Sequence, residues 1–255
     1  MALAVFVSFD VVLKRCLMEY HSLEVSSMMS FKERYEHIYQ SNNEFIKDNQ
    51  INIDPLPVDG DSRWGVSVVF RPKIPLEVWR DLDKLKPLLG ENHFYYCDNN
   101  VHVTFRSLEA YRQTVYESDN LVKRYAEVLK TTFSDVGRMR ISLRGIVGVK
   151  SGLILCGIPD FNMADLRLDF FERLQQSNLV TSGPETSVSK LRNTCHASLT
   201  VFSSELDLPA ESHEMLSNLR HKDYGEVDVT DIEIVSYRRT LDVINVQSLT
   251  KIDLS

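Results

Sequence analysis

Apolar positions recur at two different spacings along this chain, and the changes between them mark its elements. In SFKERYEHIYQSNNEFIKDNQ (residues 30–50), Phe31, Tyr35, Ile38 and Tyr39 fall at helical spacing, with Ser30 suited to the start and the polar DNQ to the end. The segment INIDPLPVDGDSR that follows carries two prolines, one glycine and three aspartates, the composition of a linker, and sets a boundary near residue 62. From Trp64 onward, runs rich in β-branched and aromatic residues (WGVSVVF, HFYYC, VHVTFRSL, RMRISLRGIVGV, GLILCGI, TCHASLTVF, EVDVTDIEIVSYRR and VINVQSLTKIDL) read as strands. Between them PLEVWRDLDKLKPLLG, SDNLVKRYAEVLKTTFSDV, MADLRLDFFERLQQSN and PAESHEMLSNLRH read as helices, the first opened by a proline and stopped by a glycine. The pattern predicts an α+β fold with antiparallel sheets. Residues 1–62 form a partly helical N-terminal extension, and residues 63–255 form two helix-and-strand halves.

The bulk numbers act mainly by exclusion. With 255 residues, 43% hydrophobic and 25% charged, the chain is long enough and apolar enough for a substantial core. A net charge of −7 lacks the broad basic surface that long duplex nucleic acid attracts. Cys16, Cys97, Cys156 and Cys195 form no CxxC pair, so free thiols in a reducing cytosol are expected. The apolar start MALAVFVSFDVVL lacks a basic n-region and is broken by Asp10, Lys14 and Arg15, so no signal peptide is read there; no run reaches membrane-spanning length. A cytoplasmic protein is expected, with its apolar first stretch covered by something. Neither GxxxxGK[ST], a GxGxxG after a strand, HExxH nor GxSxG occurs, which leaves P-loop, dinucleotide, metalloprotease and α/β-hydrolase chemistry unsupported.

One pattern occurs twice. Residues 101–105 read VHVTF and residues 195–199 read CHASL, one copy at the end of each half. In a strand alternate side chains share a face, so His102 and Thr104 point one way while Val101, Val103 and Phe105 point the other; His196 and Ser198 stand likewise against Cys195, Ala197 and Leu199. If the halves meet about a pseudo-twofold axis, two imidazoles and two hydroxyls converge on one cleft. One imidazole can then take a proton while the other gives one, and the hydroxyls can hold charged phosphate oxygens. The same parity carries Arg106 and Thr200 onto the cleft, with Arg192 and Thr194 in step with His196. Arginine there would clamp a phosphate. Tyr95, Tyr96 and Tyr237 are candidates for stacking on a base, Tyr237 most of all because Arg238 and Arg239 follow it. His21, His37, His93, His213 and His221 lack the pattern and read as surface or packing residues.

The HVTF and HASL copies resemble the paired His-x-Thr/Ser-x signatures of the two-histidine (2H) phosphoesterase superfamily, which includes RNA ligase-like 2′,3′-cyclic phosphodiesterases and relatives acting on 2′,5′ linkages and cyclic nucleotides. The resemblance covers about residues 63–255. It implies a bilobal fold of two β-α-β halves with antiparallel sheets around a central cleft. It also implies metal-independent phosphodiester cleavage without a cofactor, with His102 and His196 as the acid–base pair and Thr104 and Ser198 as phosphate donors. Arg106, Tyr237, Tyr96 and Arg192 are the substrate-binding candidates, and the expected partner is a small nucleotide, a cyclic nucleotide or a short oligonucleotide. The linkage cleaved, the division of roles between the histidines, the task of residues 1–62 and the oligomeric state stay open. The competing reading is a catalytically silent nucleotide- or protein-binding module on the same fold.

Overall fold

The computed structural model describes residues 29–181, 183–240 and 243–254. The apolar first stretch, Asp10, Lys14 and Arg15 lie outside the described residues. The N-terminal helical pattern is realised as α1 (Phe31–Lys47). Its start is a capping box: the Glu33 amide donates to the Ser30 hydroxyl at 3.3 Å and the Ser30 amide donates to Glu33 Oε2 at 2.9 Å, so two end amides find partners. Tyr35, Tyr39 and Ile46 form its buried face.

Among the described residues four more α-helices follow: α2 (Leu76–Leu89), α3 (Asn120–Phe133), α4 (Met163–Gln176) and α5 (Pro209–Leu219). The strands are β1 (Gly65–Phe70), β2 (Phe94–Tyr95), β3 (Val103–Glu109), β4 (Met139–Val149), β5 (Gly152–Pro159), β6 (Cys195–Val201), β7 (Asp223–Val229), β8 (Asp231–Arg239) and β9 (Ile244–Asp253). Of the run HFYYC only Phe94 and Tyr95 pair.

All strand pairs are antiparallel and all strands join in one sheet, in the order β7-β4-β5-β6-β3-β1-β8-β9, with β2 on β6. The two motif strands, one from each half, meet at a short seam, the pairing of Val103 in β3 with Ala197 in β6. The run EVDVTDIEIVSYRR divides at Thr230: β7 pairs with β4 in one half, and β8, one residue later, pairs with β1 in the other. One residue spans only about 3.5 Å, so the sheet has to curl until its two halves face each other. That curl makes a cleft over the seam.

Helices α2 to α5 cover the other face, whereas α1 lies on the cleft side of β4 and β5, where Tyr35 and Tyr39 pack on Val147, Ile154 and Cys156. α3 packs on α4, α2 on α5, and α1 on β4, β5 and α5. The core runs through Val66, Val68, Phe70, Val103 and Phe105 of the sheet to Leu82, Leu85, Tyr125, Leu129 and Phe170 of the helices, all nearly inaccessible to water. Phe70 and Phe105 meet edge-on at 5.5 Å between ring centroids; each such buried ring contributes about 1.5–3 kcal/mol. At the turn into β5 only glycine fits, since a Cβ on Gly152 would lie 1.9 Å from the Thr200 carbonyl oxygen. Among the described residues no helix is long and apolar enough to cross a membrane.

Candidate active site

The seam residues Val103 and Ala197 are the middle residues of the two His-x-hydroxyl triplets. Both are buried and point into the core. An antiparallel register centred on this pair sets His102 opposite Ser198 and Thr104 opposite His196, and opposed residues have Cβ atoms about 4.5–5.5 Å apart. The two imidazoles and two hydroxyls therefore alternate around one small patch of the cleft.

A cavity of about 620 Å³ opens over this patch. β6 contributes His196, Ser198 and Thr200 in alternation, with Val201 at its end, and Arg192 and Thr194 on the approach to the strand continue the alternation. Thr104, Tyr96 and Tyr237 complete the lining expected from the sequence. His102 is 8% exposed and stands beside this wall, its ring 6.1 Å from Tyr96 and 5.6 Å from Tyr237 between centroids. Tyr96 stands beside Tyr237 and Ser198, and burial holds its phenol far above the ordinary range.

Each histidine is oriented at Nδ1. His102 Nδ1 lies 2.8 Å from the Asn100 carbonyl oxygen, an acceptor only, so Nδ1 carries the proton and the neutral ring keeps a lone pair at Nε2. His196 Nδ1 lies 2.9 Å from the Thr194 hydroxyl, which can donate or accept and so permits either tautomer. Burial pushes His102 from the ordinary 6.5 down to about 4, with the charges of Arg192 and Arg71 in the same direction. His196 falls to about 3, first through burial and then through Arg192, Arg167 and His102. Both rings are neutral at pH 7 in the free protein.

Arg192 projects into the cavity and is tied through Nε to Glu185 Oε1 at 2.5 Å. Glu185 is buried and also accepts from the Ser107 amide at 3.3 Å, which fixes the arginine from behind. The Thr200 hydroxyl is buried and has no partner among the described residues.

Arg106 does not line the cavity. One step along β1, from Val68 to Val69, faces two along β3, from Arg106 to Thr104, so a β-bulge breaks the alternation at Phe105. The cleft face passes from Thr104 to Ser107, and Arg106 turns away, 1% exposed, donating to the Glu185 carbonyl and covering the Phe171 ring at 4.5 Å. Tyr95 also lies elsewhere, its hydroxyl donating to the Gly90 carbonyl at 2.7 Å. Arg239 is buried in an ion pair with Asp54.

Several lining residues carried no signal in the sequence: Ser67, Ser107, Trp64, Arg63 and Asp54 of the linker, and Ile38 and Asn42 of α1. Beneath the site lies Arg167 of α4, 1% exposed. It donates to the carbonyls of Thr104 and Phe105 at 2.9 Å on one motif strand, and of Arg192 at 2.6 Å and Thr194 at 3.0 Å on the approach to the other. Among the described residues no three His, Cys, Asp or Glu side chains gather as metal ligands.

No protein-family model and no curated protein matches the sequence. Among solved structures, TT0787 of Thermus thermophilus is 13% identical, with a TM-score of 0.53 over 74% of this chain and 97% of that one. A phosphoesterase (11% identity, TM-score 0.44, covering 76% of this chain and 99% of that one) and E. coli LigT complexed with 3′-AMP (9% identity, TM-score 0.45, 75% and 98%) are more distant in shape. Likeness at this identity is one of architecture, and the chain carries the α+β fold of TT0787.

Proposed function

We propose that this protein is a metal-independent phosphodiesterase of the two-histidine type, acting on a small nucleotide, a cyclic nucleotide or a short oligonucleotide in the cytoplasm. The observation that carries the reading is the pairing of Val103 with Ala197, which sets His102 opposite Ser198 and Thr104 opposite His196, with Thr104, His196 and Ser198 lining an open cavity and His102 beside it. The resemblance of HVTF and HASL to the paired signatures of that superfamily points the same way.

The chemistry follows from the groups. A phosphodiester in the cavity meets Thr104, Ser198 and Arg192, which donate to its non-bridging oxygens. Its negative charge offsets the Arg192 charge that helps hold both histidines neutral, so one imidazole takes up a proton as substrate binds. The neutral imidazole accepts the proton of the attacking water as the new P–O bond forms. The imidazolium gives its proton to the leaving oxygen as the old P–O bond breaks. Each transfer contributes about 10²–10⁴-fold. Tyr96, Tyr237 and Trp64 wall the cavity with aromatic surface for a base. The net charge of −7 disfavours long duplexes.

The test is a chelator-treated cleavage assay on a 2′,3′-cyclic nucleotide, a 2′,5′-linked oligoadenylate, a 3′,5′-linked oligonucleotide and a cyclic dinucleotide. Turnover that survives the chelator and is lost in both His102→Ala and His196→Ala is the expected result. Absence of turnover on all four, or turnover indifferent to both substitutions, refutes the proposal in favour of a silent binding module.

A further inference from the structure

Trp64 and Tyr237 lie against each other at 4.8 Å between centroids with their planes tilted by 52°, and both belong to two cavities at once. On one side is the cavity that holds His196. On the other is a groove of about 470 Å³ whose floor is the neighbouring ends of β1, β8 and β9, where Gly65 pairs with Tyr237, Tyr237 with Val246 and Arg238 with Asn245. The segment after β3, residues 111–116, forms its wall.

We propose that this groove is a second nucleotide subsite, receiving the nucleotide next to the scissile phosphate of a single-stranded oligonucleotide. The proposal rests on the reading above for the position of the scissile phosphate. Three features carry it. The first is continuity: a chain leaving the cavity past the Trp64–Tyr237 pair enters the groove directly. The second is aromatic surface. Tyr116 is 61% exposed on the groove wall, so its ring is open to a ligand, and Tyr111 is held by a hydrogen bond from its hydroxyl to Asp59 Oδ1 at 2.7 Å. The third is charge. Arg112 is committed to Glu109 and Asp119, whereas Arg238 is exposed, lies 5.9 Å from the Tyr111 ring centroid and pairs with no carboxylate among the described residues. Stacking surface beside an uncommitted guanidinium is the combination that single strands use, rings for bases and cation for phosphate. The amides of Gln113, Asn245 and Gln247 supply donors and acceptors for a base edge.

The test is binding, so that it stands apart from turnover. Full-length protein carrying His196→Ala is titrated with a fluorescein-labelled 3′,5′-linked tetra-adenylate, and unlabelled tetra-adenylate and AMP then compete for it. Tetra-adenylate is expected to compete at roughly tenfold lower concentration than AMP or better, since each stacked base adds appreciably. Adding Tyr116→Ala and Arg238→Glu should bring the ratio within about twofold, with a urea midpoint matching the parent as the control for folding. Failure to bind tetra-adenylate, equal competition by AMP, or an advantage that survives both substitutions overturns the subsite. Failure of the phosphodiesterase reading shows separately, as absence of turnover by the unsubstituted protein.

Discussion

The guanidinium of Arg167 donates a hydrogen bond to the carbonyl of Thr104 at 2.9 Å, from beneath the sheet and 1% exposed. The same group holds the carbonyls of Phe105, Arg192 and Thr194, so a single side chain joins the two motif strands whose only backbone pairing is Val103 with Ala197. A buried cation usually costs more than it returns unless its donors are all used; here the fork spends them on carbonyls that the short seam leaves without strand partners. Replacing it strands those carbonyls. Arg167→Met is expected to lower unfolding free energy by about 3 kcal/mol or more, and Arg167→Lys, which cannot span four acceptors, by nearly as much. Urea unfolding of both variants measures it. A loss under about 1 kcal/mol in Arg167→Met would mean that the seam holds without the clamp.

Thr104 and Ser198 face the histidines across the seam, and their proposed task is to donate to charged phosphate oxygens. Thr104→Val keeps the shape and β-branching while removing the hydroxyl. It should lower kcat by about 10- to 1,000-fold on whichever panel substrate is turned over, with little change in stability. Ser198→Ala should do the same. Steady-state kinetics on the two variants decides the matter, and a change confined to KM would assign the hydroxyls to ground-state binding alone.

Both histidines are depressed, His102 to about 4 and His196 to about 3, burial being the larger cause for each. In the unfolded chain they take up protons as pH falls through 6.5, while the folded chain resists until about 4 and 3. Protons therefore favour unfolding throughout that window. Their contribution is neutral above about pH 6.5 and grows as a penalty down to the folded values, where it levels off. His102→Gln removes one such group. Between pH 7 and pH 4 it should lose on the order of 2 kcal/mol less stability than the parent. Urea midpoints of parent and variant at pH 7, 5.5 and 4 give the difference directly, with the carboxylates common to both cancelling.

Legibility in the sequence followed the length of regular structure. Helices whose apolar face repeats over several turns, such as α3 and α4, declare themselves, and strict alternation through β6 and the residues leading into it carried Arg192, Thr194, His196, Ser198 and Thr200 correctly to the cavity. In β3 the same rule failed after Thr104, because one extra residue in the strand exchanges faces and leaves no mark in the side-chain pattern. Thus Arg106 and Ser107 exchange the places that alternation assigns. The jump of the chain from one half to the other at Thr230 was invisible for a related reason: two strands joined by one residue look like one long strand, and only the curl of the whole sheet separates them. Arg167 was hidden within a helix, where an arginine ordinarily reaches solvent.

The role of residues 31–62 is the remaining link between fold and site. Consecutive carbonyls along a strand point to opposite sides, and the approach to His196 uses both: Arg192 and Thr194 are held by Arg167, while Asn193 accepts from Arg34 and Cys195 from Tyr35, both on α1. The Tyr35 hydroxyl also accepts from the Cys195 amide at 2.9 Å and reaches the Gly157 carbonyl at 3.1 Å, so a phenol from the N-terminal helix stands within the β5–β6 ladder one residue from His196. Tyr35→Phe would leave these backbone groups dry and unpaired, at a cost of about 1–3 kcal/mol. Because the loosened residue adjoins His196, kcat should fall several-fold in step. Tyr39→Phe is the control from the same helix, losing only a part-buried hydrogen bond to Ser217 that is remote from β6. If urea unfolding and kcat change equally in the two variants, α1 is a packing element and nothing more. If Tyr35→Phe alone lowers kcat, the extension is a working part of the site, and enzyme lacking residues 1–47 should be inactive even where it still folds.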